Sequence, residues 1–195
     1  MSMKFSDEAH WIWLENDPRD KNGYACFRRR FTISNRNVQS AELRITADSR
    51  YDAFQSGERG ALSEMEQVGL AVFQGRGQCA VCHGGPNLTD NQFHNTGISW
   101  RGGRYTDEGR FVISQNPPDH GAFKTPTLRE IGLTAPYMHD GSVKSLEDVV
   151  EFYSQGGRRN PYLDPRVRPL GLSRGETNAL VAFLKTLDGR VTAGQ

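Results

Sequence analysis

Cys79, Ala80, Val81, Cys82 and His83 form a CxxCH run. Two cysteines three residues apart fall on one side of a helical turn. That spacing suits thioether bonds from both sulfurs to the two vinyl groups on one edge of a haem, with the adjacent imidazole offered to the iron. Two other readings fit the same residues. One is a chance CxxC beside a histidine; the other is half a zinc site, which needs two further ligands at suitable spacing. No second CxxC exists, and Cys26 is the sole remaining cysteine, too few for a disulfide framework. For the sixth position on an iron, the downstream candidates are Met138, His139 and Tyr153. Spacing does not choose among them. Each also has an ordinary role open to it: core packing for Met138, a turn hydrogen bond for His139 beside Asp140 and Gly141, and an amphipathic helix position for Tyr153.

The elements that must hold these groups change character near Arg50. Before it the pattern reads as β: Trp11 to Leu14, then Phe27, Phe31 and Ile33 around a run of arginines, then Ala41, Leu43 and Ile45 alternating with polar residues. After about Tyr51 it reads as helix and loop. Ser63 with Glu66 is a capping box, and Met65, Val68, Ala71 and Val72 form an apolar stripe behind it. A glycine-rich bracket surrounds the CxxCH run, and a loop-rich stretch follows from Asn87 to Phe123. Ser145 with Asp148 starts a helix carrying Val149, Val150, Phe152 and Tyr153, which Gly156 and Gly157 end. Ser173 with Glu176 starts another, with Leu180, Val181, Phe183, Leu184 and Leu187 on its buried side. The expected fold class is mainly α: a cytochrome c-type haem domain over 51–195, preceded by a short, incomplete β segment over 1–50.

The chain has 195 residues, enough for one core or one core and a fragment. Lysine and arginine total 24 against 23 acidic residues, and a net charge of +1 argues against nucleic acid as the main partner. Mean hydropathy is −0.65. No stretch approaches the roughly 18 apolar residues of a membrane span. Met1 to Asp20 shows neither a basic n-region nor an apolar h-region, so no signal peptide is read there.

From about Tyr51 to Leu187 the sequence resembles the C-terminal haem domain of bacterial diheme cytochrome c peroxidases and MauG-type proteins. The matching pieces include Cys79-Ala80-Val81-Cys82-His83, Asn87-Leu88-Thr89-Asp90, Phe93-His94-Asn95-Thr96-Gly97 and Phe123-Lys124-Thr125-Pro126-Thr127-Leu128-Arg129. Thr134-Ala135-Pro136-Tyr137-Met138-His139-Asp140-Gly141 and Ser145 to Tyr153 continue them in order. The resemblance implies one covalent haem c on Cys79 and Cys82, with His83 as proximal ligand. It puts the distal ligand at Tyr153, the MauG-type choice, where peroxidases carry Met, and makes Met138 a wall residue. A phenolate favours ferric iron, so the potential should lie below that of a His/Met haem. The resemblance also implies a calcium ion held in part by the carbonyls of Thr134 and Pro136. Phe73, Phe93, Leu128, Ile131, Tyr137, Phe152 and Phe183 are candidate haem walls, and Arg101, Arg104, Arg110, Lys124 and Arg129 candidate partners of its propionates.

The sequence departs from that family in having one CxxCH instead of two. The implied job is one-electron transfer with a redox partner protein in the periplasm, a location at odds with the absent signal peptide. Enzymatic activity is left open: the chain would act as a peroxidase or MauG-like oxidase if Tyr153 dissociates or a partner supplies a second haem. The first fifty residues resemble the opening strands of the β-sandwich that accompanies α-L-rhamnosidases, which leaves a sugar-binding or structural fragment with a vestigial haem half as a further alternative.

Overall fold

The structure, a computed structural model, describes residues 49–189. The strands expected over 1–50 lie outside these residues, except that Ser49 and Arg50 are seen. Ser49 makes an isolated antiparallel bridge to Gly189, and Arg50 opens a helix. Ser49 caps helix α1 (Arg50–Gln55), its hydroxyl accepting from Asp52 N. The helical frame continues with α2 (Glu64–Gln74), α3 (Phe111–Ser114), α4 (Leu146–Ser154) and α5 (Arg174–Leu184). Among the described residues no helix is long and apolar enough to cross a membrane.

Helix starts are set locally. Ser63 and Glu66 form the expected capping box on α2, with Ser63 N donating to Glu66 Oε2 at 2.8 Å. Ser173 and Glu176 repeat it on α5. Ser145 caps α4 by accepting from Asp148 N at 3.1 Å. Such caps satisfy backbone donors that the first turn leaves unpaired.

The core lies between α2 and α5. Gly69 is what lets them approach: a Cβ there would stand 2.0 Å from Ala179 O and 2.7 Å from Phe183 Cβ. Phe183 is fully buried, with the Phe73 ring at 5.1 Å and Tyr51 edge-on at 5.4 Å. The stripe expected on α2 holds only at Val72, which is buried. Met65 and Val68 are 58% and 52% exposed, and Ala71 is exposed too. The buried residues are Glu66, Gly69, Leu70, Val72 and Phe73, four of them at the i, i+3, i+4, i+7 spacing of one helix side. Glu66 tolerates that place because the Arg50 guanidinium and Ser63 N bond its carboxylate.

The stretch from Asn87 to Phe123 contains short ribbons rather than loop alone. β1 (Phe93–His94) pairs antiparallel with β4 (Phe123–Lys124), and β2 (Trp100–Arg101) with β3 (Arg104–Tyr105). Gly102 and Gly103, both at positive φ, make the two-residue turn between β2 and β3. Short ribbons do not displace the mainly helical class.

Candidate haem-binding site

The CxxCH run folds as a tight turn at the end of α2. Gly77 N donates to Val72 O at 2.8 Å, and a Cβ on Gly77 would meet that same oxygen at 2.7 Å. A 3₁₀ turn over Cys79–Val81 follows, and His83 N donates to Cys79 O at 2.8 Å. Cys79, Cys82 and His83 consequently line one cavity of about 670 Å³, inside the range of roughly 300–1,000 Å³ typical of ligand sites. Both thiols are free. Burial pushes the Cys79 thiol up to about 12, and burial raises Cys82 as well. Burial also lowers the pKa of His83, opposed by a hydrogen bond to the Leu88 carbonyl.

That bond, His83 Nδ1 to Leu88 O at 3.0 Å, assigns the tautomer. Nδ1 carries the hydrogen and Nε2 keeps its lone pair, the arrangement a metal-ligating imidazole needs. Leu88 is buried and holds a positive φ of 51°. Leu88 lies within a piece that carries the family resemblance, and nothing in the sequence marks its carbonyl for this part.

Tyr153, Met138, Thr134 and Pro136 line the same cavity, as do Leu128, Ile131 and Tyr137. Tyr153 is raised to about 12, first by burial and then by the cysteine sulfurs, while the Thr96 side chain acts in the opposite direction. Four expected wall residues stand elsewhere. Phe73 and Phe183 belong to the α2–α5 core, and Phe152 packs edge-on against Tyr153. Phe93 is 38% exposed, with the Arg110 guanidinium 4.2 Å from its ring centre. Of the basic candidates, Lys124 and Arg129 line the cavity. Arg129 is engaged by Asp52 and Pro86 O, and Lys124 by Asn91. Arg101 pairs with Asp140 and Arg110 with Asp119, away from the lining; Arg104 is exposed on β3.

The carbonyl pair expected to hold calcium would supply two of its oxygens. Ca²⁺ takes roughly six to eight oxygens. Thr134 and Pro136 are exposed, and among the described residues no cluster of potential ligand side chains includes or adjoins them in sequence.

A charged cluster that the sequence reading missed lies beside Cys82. His94 is buried, with Nε2 at 2.8 Å from Asp90 and Nδ1 at 2.8 Å from Asp164. The Arg166 guanidinium contacts both Asp164 and His94. Cys82, Asp90 and His94 bring three ligand-type atoms within 4.8 Å of one another. Yet both histidine nitrogens already face carboxylates and a guanidinium stands alongside, an internally paired arrangement that leaves little for a cation. Asp90 and His94 lie within pieces that carry the family resemblance, whereas Asp164 and Arg166 are marked in the sequence only by their charge.

The chemistry of the donors fits a c-type haem: two free thiols on one turn, an imidazole with Nε2 available and a phenol, all on one largely apolar cavity. The fold is that of the MauG-like and diheme-peroxidase class. A MauG-like protein associated with microbial copper homeostasis is 38% identical with a TM-score of 0.67, over 74% of this chain and 53% of that one. The diheme peroxidase BthA of Burkholderia thailandensis is 25% identical with a TM-score of 0.59, over 73% and 46%. No family model matches the chain.

Among curated relatives, cytochrome-c peroxidase IdrP2 of Denitromonas iodatirespirans is 37% identical over 74% of the chain and 45% of its own length. The methylamine utilization protein MauG of Methylorubrum extorquens is 35% identical over 76% and 42%. The chain belongs to the diheme cytochrome c peroxidase and MauG family. It spans about half the length of the curated relatives it matches. The rhamnosidase-like reading of the first fifty residues finds no support in these relatives.

Proposed function

We propose that residues 51–195 form a haem c domain whose work is one-electron transfer. Cys79 and Cys82 hold the cofactor by thioether bonds, His83 Nε2 is the proximal ligand and Tyr153 the distal one. The cofactor supplies an Fe(III)/Fe(II) couple. The chain supplies the attachment turn, the hydrogen bond from His83 Nδ1 to Leu88 O that orients the imidazole, and an apolar lining that keeps water away. Iron ligated on both sides offers no open position to peroxide, which is why transfer is favoured over catalysis by this domain alone. The domain is matured in the periplasm and passes electrons to a redox partner protein.

The observation that carries this reading is the turn that sets both thiols and His83 on one cavity, with the imidazole tautomer assigned by Leu88 O. The test is expression with export to a periplasm that performs c-type maturation. The expected product carries one haem by mass and by absorption spectrum, and Cys79→Ala with Cys82→Ala abolishes attachment. Colourless parent protein at apoprotein mass refutes it.

A second reading, peroxidase or MauG-like oxidase activity with a second haem domain, is favoured by the length of the relatives, about twice the matched span. Peroxide turnover by the purified one-haem chain separates the two.

A further inference from the structure

A haem carries its two vinyl groups on neighbouring pyrroles and its two propionates on the other pair. With Cys79 and Cys82 holding the vinyl edge, the two carboxylates face the part of the cavity away from the cysteines. The segment from Arg166 to Gly171 runs beside the cysteines. At one end the Arg166 guanidinium contacts Asp164 and His94, and a His94 nitrogen lies within 4.8 Å of the Cys82 sulfur. At the other end Gly171 O accepts from Arg76 Nη2 at 2.9 Å. Arg76 precedes Gly77, where a Cβ would stand 3.4 Å from Cys79 Sγ. Arg166 and Arg168, which line the cavity, therefore stand along its thioether edge.

From Cys82 the wall continues the other way through His94, Phe123 and His139. His94 faces Phe123 across the β1–β4 ribbon. The Phe123 ring stacks on the His139 imidazole, with ring centres 3.6 Å apart and 12° between the planes, and both residues line the cavity. The turn that carries His139 is fixed at several points. Tyr137 N donates to Val143 O at 2.6 Å, and Gly141 N to Met138 O at 3.2 Å. Asp140 Oδ1 accepts from Ser142 N at 3.0 Å, and Asp140 Oδ2 from Arg101 Nη2 at 2.9 Å. An imidazole stacked on one side and carried on a tied turn is held in one orientation, as a group must be if it is to meet a ligand atom.

Other polar groups on the cavity are engaged. Arg129 is held by Asp52 and Pro86 O, Thr127 Oγ1 donates to Asn87 O at 2.6 Å, and Lys124, exposed on β4, donates to Asn91 at 2.8 Å. His139 differs. Its Nε2 lies 3.7 Å from Asp107 Oδ2, too far for a hydrogen bond, and among the described residues neither ring nitrogen makes one. We propose that His139 is the anchor of a haem propionate, one ring N–H donating to the carboxylate. The proposal rests on the haem reading of the cavity. A donor to an ionised carboxylate makes a strong, directional bond. It also draws negative charge away from the iron, which sets the couple higher than a bare propionate would.

The test uses the matured chain with His139→Phe and His139→Gln. The readouts are the propionate bending band of the resonance Raman spectrum, whose frequency rises with hydrogen bonding to the carboxylate, and the midpoint potential. His139→Phe keeps a ring against Phe123 and removes the donor. It should move the band to lower frequency and lower the potential. His139→Gln keeps an N–H donor and should hold the band closer to the parent than to the phenylalanine variant. An unmoved band in His139→Phe overturns the proposal even if the potential shifts, since loosening the turn would alter the potential without touching the carboxylate. A glutamine variant that shifts as far as the phenylalanine variant overturns it as well. A parent chain that carries no haem refutes the reading of the cavity and this proposal together. A haem-bearing parent with an unmoved band in His139→Phe refutes the role of His139 alone.

Discussion

Asp164 joins two walls of the cavity, and its replacement by Asn should weaken the domain in a pH-dependent way. Its Oδ2 lies 2.8 Å from His94 Nδ1 and accepts from Arg166 Nη2 at 2.7 Å, while Oδ1 accepts from Arg166 N and Nε, each at 2.9 Å. Burial alone would raise this carboxyl, but the Arg166 and His94 hydrogen bonds outweigh it and hold Asp164 at about 2 against an ordinary 3.8. One pH unit corresponds to about 1.4 kcal/mol. The carboxyl is 10% exposed but its Arg166 partner 47%, so solvent screening takes the contribution down to about 1–2 kcal/mol. The folded-state pKa lies below the unfolded one. The stabilisation is therefore complete above about pH 4 and fades as pH falls through about 2. Asp164→Asn should reduce the unfolding free energy by about 1–2 kcal/mol near neutrality and by much less near pH 2. Urea unfolding of parent and variant at both pH values, with the slopes compared, measures it. A deficit of the same size at both pH values would mean that the ionised carboxylate is not its source, and the reasoning would be wrong.

Three other expectations concern the core and the ligand. Gly69→Ala forces a methyl into Ala179 O at 2.0 Å, so α2 and α5 must separate. A loss of about 3 kcal/mol and a fall of about 6–12 °C in Tm should follow; an unchanged Tm would refute the close approach. Phe183→Ala empties the centre of the core, where the ring is fully buried, and should cost about 3–5 kcal/mol by chemical unfolding; a loss below about 1 kcal/mol would contradict that packing. Tyr153→Met in the haem-bearing chain exchanges a hard anionic ligand for a thioether and should raise the midpoint potential; an unmoved potential and spectrum would show that Tyr153 is not bound.

The parts that were legible in the chain are those whose causes lie within a few residues. Ser63 with Glu66, Ser145 with Asp148 and Ser173 with Glu176 start the helices where they were expected, because a cap acts across three residues. The CxxCH turn was equally readable, since its i to i+3 and i to i+4 bonds are local. Of the buried face of α2 only Val72 was. Glu66 and Gly69 look like solvent-facing and weak positions until α5 arrives against the glycine and Arg50, 16 residues away, neutralises the carboxylate. For the same reason Phe73 and Phe183 were assigned to the cofactor wall, although they fill the seam between the two helices. Local spacing alone determined the helix starts and the turn bearing the two thiols and His83. Which groups meet across the cavity was decided only in three dimensions. His94 finds Asp164 across 70 residues. Hydrogen bonds and charge pairs are short-ranged and directional, so the chain order carries no record of partners that only folding brings within reach.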